Sequence, residues 1–279
     1  MEKKCFLISV FIFPRAPRLK FNNECSCSNS CEKVLELLFD DNKPITFEDI
    51  PLSFNYTINE KNISNEGIKK YEIIKNICNT VITNRGLSIQ KRLIILGKIF
   101  QNIERLSDEN LSSIINISNV DYSYITNINL SYGIQKKLVK FYAERSISIQ
   151  KYAEEAIRYF EEENEIKKYL KAKERLYSLF PNIEIMLEKI LHNYMIYIQF
   201  PFSNNLYSLI EEHASLCGVY LFLKYIVLGY MANKNTLEDF IDVVTAIFRL
   251  INHTNFNHDV YVLLKIENLT TIESLENVI

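Results

Sequence analysis

From residue 68 onward, apolar residues recur along this chain at the three- and four-residue spacing that lines one face of an α-helix. Ile68, Tyr71, Ile74, Cys78, Val81 and Ile82 form one such stripe, closed by Arg85-Gly86. Ser88 then stands as an N-cap for a helix over Ile89–Leu106, with Leu93, Leu96, Ile99, Phe100 and Ile103 on its apolar face. The short turn between them predicts an antiparallel helical hairpin. Upstream, Val34, Leu35 and Leu38 predict a helix over Cys31–Phe39, stopped by the polar run that leads to Pro44.

The same pattern continues to the end of the chain. Ser107–Ser118 reads as a short helix and Val120–Leu130 as irregular. Helices are predicted over Gln135–Arg145 and, as one charged element, Ser148–Leu170, where Glu163 and Lys167 fall four apart on a solvated face. Pro181 separates Leu170–Phe180 from Ile183–Gln199, and Phe200-Pro201-Phe202 ends the latter. Ser203–Ala232 is one long apolar helix or two. Thr236 with Asp239 three residues on resembles a capping box for a helix reaching His253, and a last helix covers Asp259–Asn268. Residues 1–30 show no period and read as loop with one strand at most. The fold expected is mainly α: an irregular Cys-containing N-terminal segment with one helix over 1–60, then a multi-helix bundle over 61–279, where the pattern permits a subdivision near 130.

Composition narrows the function classes. Of 279 residues, only 6 are Gly and 6 are Pro, which suits long helices and leaves no Gly-rich loop to cradle a phosphate. A formal net charge of −2 gives no electrostatic footprint for nucleic acid. The apolar run Cys5–Phe13 is followed by Pro14-Arg15 and no small-residue cleavage site, so it is not read as a secretion signal. Ala214–Met231 nearly has the length of a membrane span, but Lys224 near its middle would cost about 3 kcal/mol in a bilayer, and a buried core helix is the expectation. No membrane association is expected. Six cysteines, clustered early, fit a reducing cytoplasm.

Candidate chemistry is sparse. Cys25, Cys27 and Cys31 have the density of a zinc or iron–sulfur site, yet four ligands are wanted, only Cys5 is near in sequence, and no CxxC pair exists. Free or buried thiols remain the alternative. None of His192, His213, His253 and His258 belongs to an HExxH motif; the default for each is a hydrogen-bonded core or helix-end side chain. Tyr194, Tyr197, Tyr207, Tyr220, Tyr225 and Tyr230 read as packing rather than an aromatic cage for methyl-lysine. No residue declares itself a catalytic base.

Several short stretches, taken in order, resemble the flagellin lysine-N-methylase family. They are Ser30–Leu38 with Pro44–Asp49; Asn84-Arg85 and Leu87–Leu93 with Leu96-Gly97; Leu187-Glu188, Asn193-Tyr194 and Phe200-Pro201-Phe202; and Thr236–Asp239 with Ile251–Thr254 and Asn257. They span most of residues 13–265. The resemblance implies transfer of methyl groups from S-adenosylmethionine to lysine ε-amines of flagellin, and an iron–sulfur cluster in a cysteine-rich N-terminal region. Only Cys31 matches a family cysteine; Val10 stands where another is expected, and the family's early Trp-containing cysteine stretch has no counterpart, the chain having no Trp. An N-terminally truncated methylase is therefore expected, with a non-catalytic helical module that binds flagellin or another protein as the alternative.

Overall fold

The computed structural model describes residues 9–13, 16–20, 29–40, 65–105, 126–161, 164–202 and 208–279. Its first elements are the strands β1 (Ser9–Phe13) and β2 (Ala16–Lys20), paired antiparallel with Ser9 opposite Lys20 and Phe13 opposite Ala16. One strand at most was expected here; pairing with the next five residues gives β1 the hydrogen-bond partners a lone strand lacks. All other described elements are helices, in agreement with the mainly α expectation.

Helix α1 (Glu32–Phe39) buries Leu35 and Leu38 and packs on α7 (Ile183–Ile198) and α9 (Leu237–His253). Helices α2 (Asn65–Ile82) and α3 (Ile89–Arg105) pack on each other across the turn over 83–88, as the stripes predict. Ile74, Cys78, Val81 and Ile82 from the first stripe and all five named residues of the second are buried. The side chains of Ile68 and Tyr71, and the segments 45–56 and 107–118, lie outside the described residues.

Helix α4 (Ile128–Ala143) starts well before the expected Gln135, because the Asn127 side chain accepts the Leu130 N–H and caps it. The expected helix over Ser148–Leu170 is two: α5 (Ile147–Phe160) and α6 (Glu165–Leu179), joined through Asn164 at φ 63°. Phe160 and Tyr169 explain the break. Nine residues apart, they would point to opposite sides of one continuous helix, at about 100° per residue. Both are fully buried, with ring centroids 5.7 Å apart, in a cluster with Tyr132 and Tyr225. Glu163 lies outside the described residues; Glu161 instead pairs with Lys140 at 2.7 Å and Glu165 with Lys136 at 2.7 Å, both on α4.

Helix α8 (Leu209–Met231) is apolar on every side, the mark of a helix surrounded by protein. It is long and apolar enough to cross a membrane, and 94% of its apolar window is buried inside the fold, as the core-helix expectation requires. A capping box between Ser208 and Glu211 starts it. Helices α3, α4, α5, α6 and α9 surround it, with α10 (Phe256–Ile266) and α11 (Ile272–Glu276). Where α8 crosses α5, a Cβ on Gly229 would lie 2.6 Å from Ala156 Cβ and 2.7 Å from its Cα, so only glycine lets the backbones approach this closely.

Helix α10 begins at Phe256, which is fully buried, rather than at the expected Asp259. The sequence pattern gave no sign of α11, which is started by a Thr271–Ser274 capping box. It is held on α3 by Lys98–Glu276 at 2.9 Å and Gln101–Glu273 at 3.0 Å. The chain end also reaches α4: the Asn127 N–H donates to Asn277 O at 2.8 Å and the Ser131 hydroxyl donates to Val278 O. Ser131 in turn accepts from Gln135, and Gln135 from Tyr169, a buried hydrogen-bonded chain between α6 and the C-terminus.

Candidate functional site

Helix α7 is the axis on which the distinctive residues meet. Its run Ile185–Leu191 is apolar except for Glu188 and Lys189. Glu188 faces the α2–α3 turn, with its carboxylate 4% exposed. It accepts Arg92 Nη1 at 2.8 Å and a fork from Arg85, with Nε at 3.1 and 3.2 Å and Nη2 at 3.0 Å. Arg92, itself 1% exposed, also donates from Nε to Leu87 O at 2.8 Å and from Nη1 to Ile82 O at 2.7 Å. One turn earlier, Glu184 accepts the Ile89 N–H at 2.8 Å, placing a carboxylate at the positive end of α3. The hairpin is thereby clamped to α7 by charges that could hold little chemistry of their own, since each is already paired.

The opposite side of α7 receives the N-terminal segment. Asn193 Nδ2 donates to Asn29 Oδ1 at 2.7 Å, and Asn29 Nδ2 donates to Ile190 O at 2.8 Å. Arg249 on α9 completes the seat, with Nε donating to Ser30 O at 3.4 Å and Nη2 reaching Glu32 at 2.6 Å. Beside this seat opens a cleft of about 500 Å³, lined by Cys31, Glu32, Ser146, Ser148, Arg249 and His253 among others. Further along, the Tyr194 hydroxyl donates to Asn257 Oδ1 at 2.5 Å and the Ser215 hydroxyl to Asn257 O at 2.8 Å, which fixes the α9–α10 corner. Burial drives the Tyr194 phenol far above its ordinary range, so it acts as a donor only. On one face of α9, two turns apart, Thr245 Oγ1 and both polar atoms of Asn252 are sealed from solvent with no partner among the described residues.

The candidate residues fall as follows. Cys25 and Cys27 lie outside the described residues. Cys31 is a half-buried free thiol preceding α1, at the cleft. Among the described residues no three His, Cys, Asp or Glu side chains come together as a metal group, and Cys25 and Cys27, the other members of the expected set, lie outside those residues. His192 is buried against Asn79 at 3.2 Å, and burial lowers its pKa. His213 is fully buried, bonds Leu93 O at 2.8 Å and is pulled down to about 4 by desolvation. Cys217 Sγ lies 3.4 Å from His213 Nε2, but burial pushes its thiol far up, which leaves an inert core pair rather than a nucleophile and base. The tyrosines pack as expected: Tyr194, Tyr220, Tyr225 and Tyr230 are buried and Tyr197 half-buried, while Tyr207 lies outside the described residues.

S-adenosylmethionine needs an enclosed, largely apolar slot for adenosine and polar groups free to hold the ribose and amino acid. The Cys31 cleft has adequate volume, but it is open, and its Glu32 and Arg249 are paired with each other. Neither it nor the orphaned Asn252 amide forms such a slot, so the described residues alone do not fit the donor. Sequence reasoning missed the Glu188–Arg92 pair and the role of Asn29; the available signal was an opposite charge inside each of two apolar stripes.

No curated protein and no solved structure matches this chain. A family model described as the FliB lysine N-methylase C-terminal domain matches residues 75–277. That span contains the α2–α3 clamp, α7, the Tyr194–Asn257 corner and α11, while the Asn29–Glu32 seat docks onto it from outside. With most of its length covered by that model, the chain belongs to the FliB lysine N-methylase family.

Proposed function

We propose that this chain takes part in methylation of flagellin lysine ε-amines in the cytoplasm, with S-adenosylmethionine as the methyl donor and residues 75–277 as the C-terminal domain of the enzyme. The observation that supports this is a convergence. Several of the stretches that resemble the family meet around α7: Arg85 and Arg92 on Glu188, and Tyr194 on Asn257, while Asn193 holds Asn29, the residue just before the first stretch.

The chemistry asks for a neutral lysine amine held in line with an electrophilic methyl group, so positioning and removal of water carry much of the rate. The described residues hold the scaffold rather than the reactants. Paired charges lock the hairpin to α7, and the two asparagines hold the N-terminal segment beside the Cys31 cleft. His253 lines the cleft and is exposed, but no step is assigned to it, because no described slot beside it holds the methyl donor.

The test is transfer of methyl-labelled S-adenosylmethionine to purified flagellin by the purified full chain, with the label located by peptide mass spectrometry. Label on flagellin lysines is the expected result. Flagellin captured by the chain without any label would favour the non-catalytic binding module.

A further inference from the structure

The cleft of about 500 Å³ beside the N-terminal seat is built from three helix ends: the starts of α1 and α5 and the last turns of α9. Its two basic side chains both come from α9. Arg249 donates from Nε to Ser30 O at 3.4 Å and from Nη2 to Glu32 at 2.6 Å, and its Nη1 has no partner among the described residues. His253, one turn on and exposed, makes no hydrogen bond or ion pair among the described residues.

The other walls add donors. The first N–H groups of α5 lack helical partners, no side chain caps them, and its first turn holds no acidic residue. The Ser146 and Ser148 hydroxyls meet at 2.9 Å, so whichever donates, the proton of the other is left to spend. Among the described lining residues Glu32 is the one carboxylate, and Arg249 neutralises it. A cation would therefore find only a paired Glu32 and the Cys31 thiol. An oxyanion, which accepts hydrogen bonds on several sides at once, would find donors from two helices. The volume is that of a small-molecule site, too small for a folded partner.

We propose that this cleft binds the phosphate group of a small ligand, held by Arg249, His253 and the hydroxyls at the start of α5. Glu32 competes with the ligand for Arg249. The site is independent of whether the chain methylates flagellin.

The experiment follows alkylation of Cys31 by iodoacetamide in the full chain, read by peptide mass spectrometry, while inorganic phosphate is titrated in at constant ionic strength against chloride. Cys78 and Cys217, both buried, are the unreactive internal references. Phosphate is expected to slow Cys31 alkylation to a plateau, and chloride to leave it unchanged. His253→Gln and Arg249→Gln should each raise the half-protecting phosphate concentration about tenfold, the worth of one charge-assisted hydrogen bond. Because Arg249→Gln also loosens the seat, protection is compared with the same variant free of phosphate. Glu32→Gln should lower the half-protecting concentration several-fold, an effect that loss of a merely structural ion pair would not produce. Glycerol phosphate protecting at lower concentration than inorganic phosphate would assign the ligand to phosphate esters, and equal protection to free phosphate; either supports the site. No protection by phosphate, equal protection by chloride, or weaker protection in Glu32→Gln would overturn the proposal.

Discussion

Replacing Glu188 by Gln keeps the shape of the side chain and one acceptor but removes the one carboxylate paired with Arg92 among the described residues, and the Arg92 side chain is 1% exposed. Breaking a buried ion pair from one side costs about 3–5 kcal/mol, because the other charge stays buried without compensation. Arg92 retains its bonds to Leu87 O and Ile82 O, which places Glu188→Gln at the lower end, about 3 kcal/mol. Arg85 contacts the same carboxylate with its side chain 58% exposed, so Arg85→Gln should cost about 1 kcal/mol or less. Replacing Arg92 and Glu188 together by Met should recover part of the loss and not all of it, since the two carbonyls would lose their donor at about 1–3 kcal/mol each. Urea unfolding followed by circular dichroism reads these differences as shifts in midpoint at constant slope. Against a total stability of about 5–15 kcal/mol, the Glu188→Gln shift is large. Equal costs for Glu188→Gln and Arg85→Gln, both below about 1 kcal/mol, would refute the buried-pair account.

Further substitutions probe the core. Gly229→Ala should destabilise by about 1–3 kcal/mol in the same assay, since its Cβ meets the Ala156 backbone, whereas Gly133→Ala, with nothing within 4 Å, should gain about 0.5–1 kcal/mol. Thr245→Val exchanges an orphaned buried hydroxyl for a methyl and should raise stability by about 1 kcal/mol; a loss would reveal a hidden partner. His213, at about 4 in the folded chain against 6.5 unfolded, makes the unfolded state bind the extra proton between those values. Its contribution is therefore intact at pH 7 and lost as pH falls from 6.5 toward 4, by about 3 kcal/mol in all. In His213→Gln the urea midpoints at pH 7 and pH 4.5 should lie closer together than in the parent chain.

What the sequence made legible follows from how local each determinant is. Helices α3 and α9 carry complete apolar stripes, and Thr236 caps α9 from its own first turn, so both were readable. The break between α5 and α6 was hidden by a charge run that reads as one solvated helix. The half-turn mismatch between Phe160 and Tyr169 was present, but it becomes a constraint only once both are known to face one core. The caps at Asn127 and Thr271 start helices whose partners lie far along the chain, at Asn277 and on α3. Arg92 and Glu188 are 96 residues apart, so pairing them needed the fold. The cysteine cluster drew notice by density alone, and density carries no geometry; of its members only Cys31 falls among the described residues.

The most direct test of the central claim is the intact mass of flagellin from cells that express this chain, set against flagellin from cells that lack it. The account predicts a ladder of methyl-sized additions that depends on the chain. Unchanged flagellin in the presence of folded, soluble chain would contradict it.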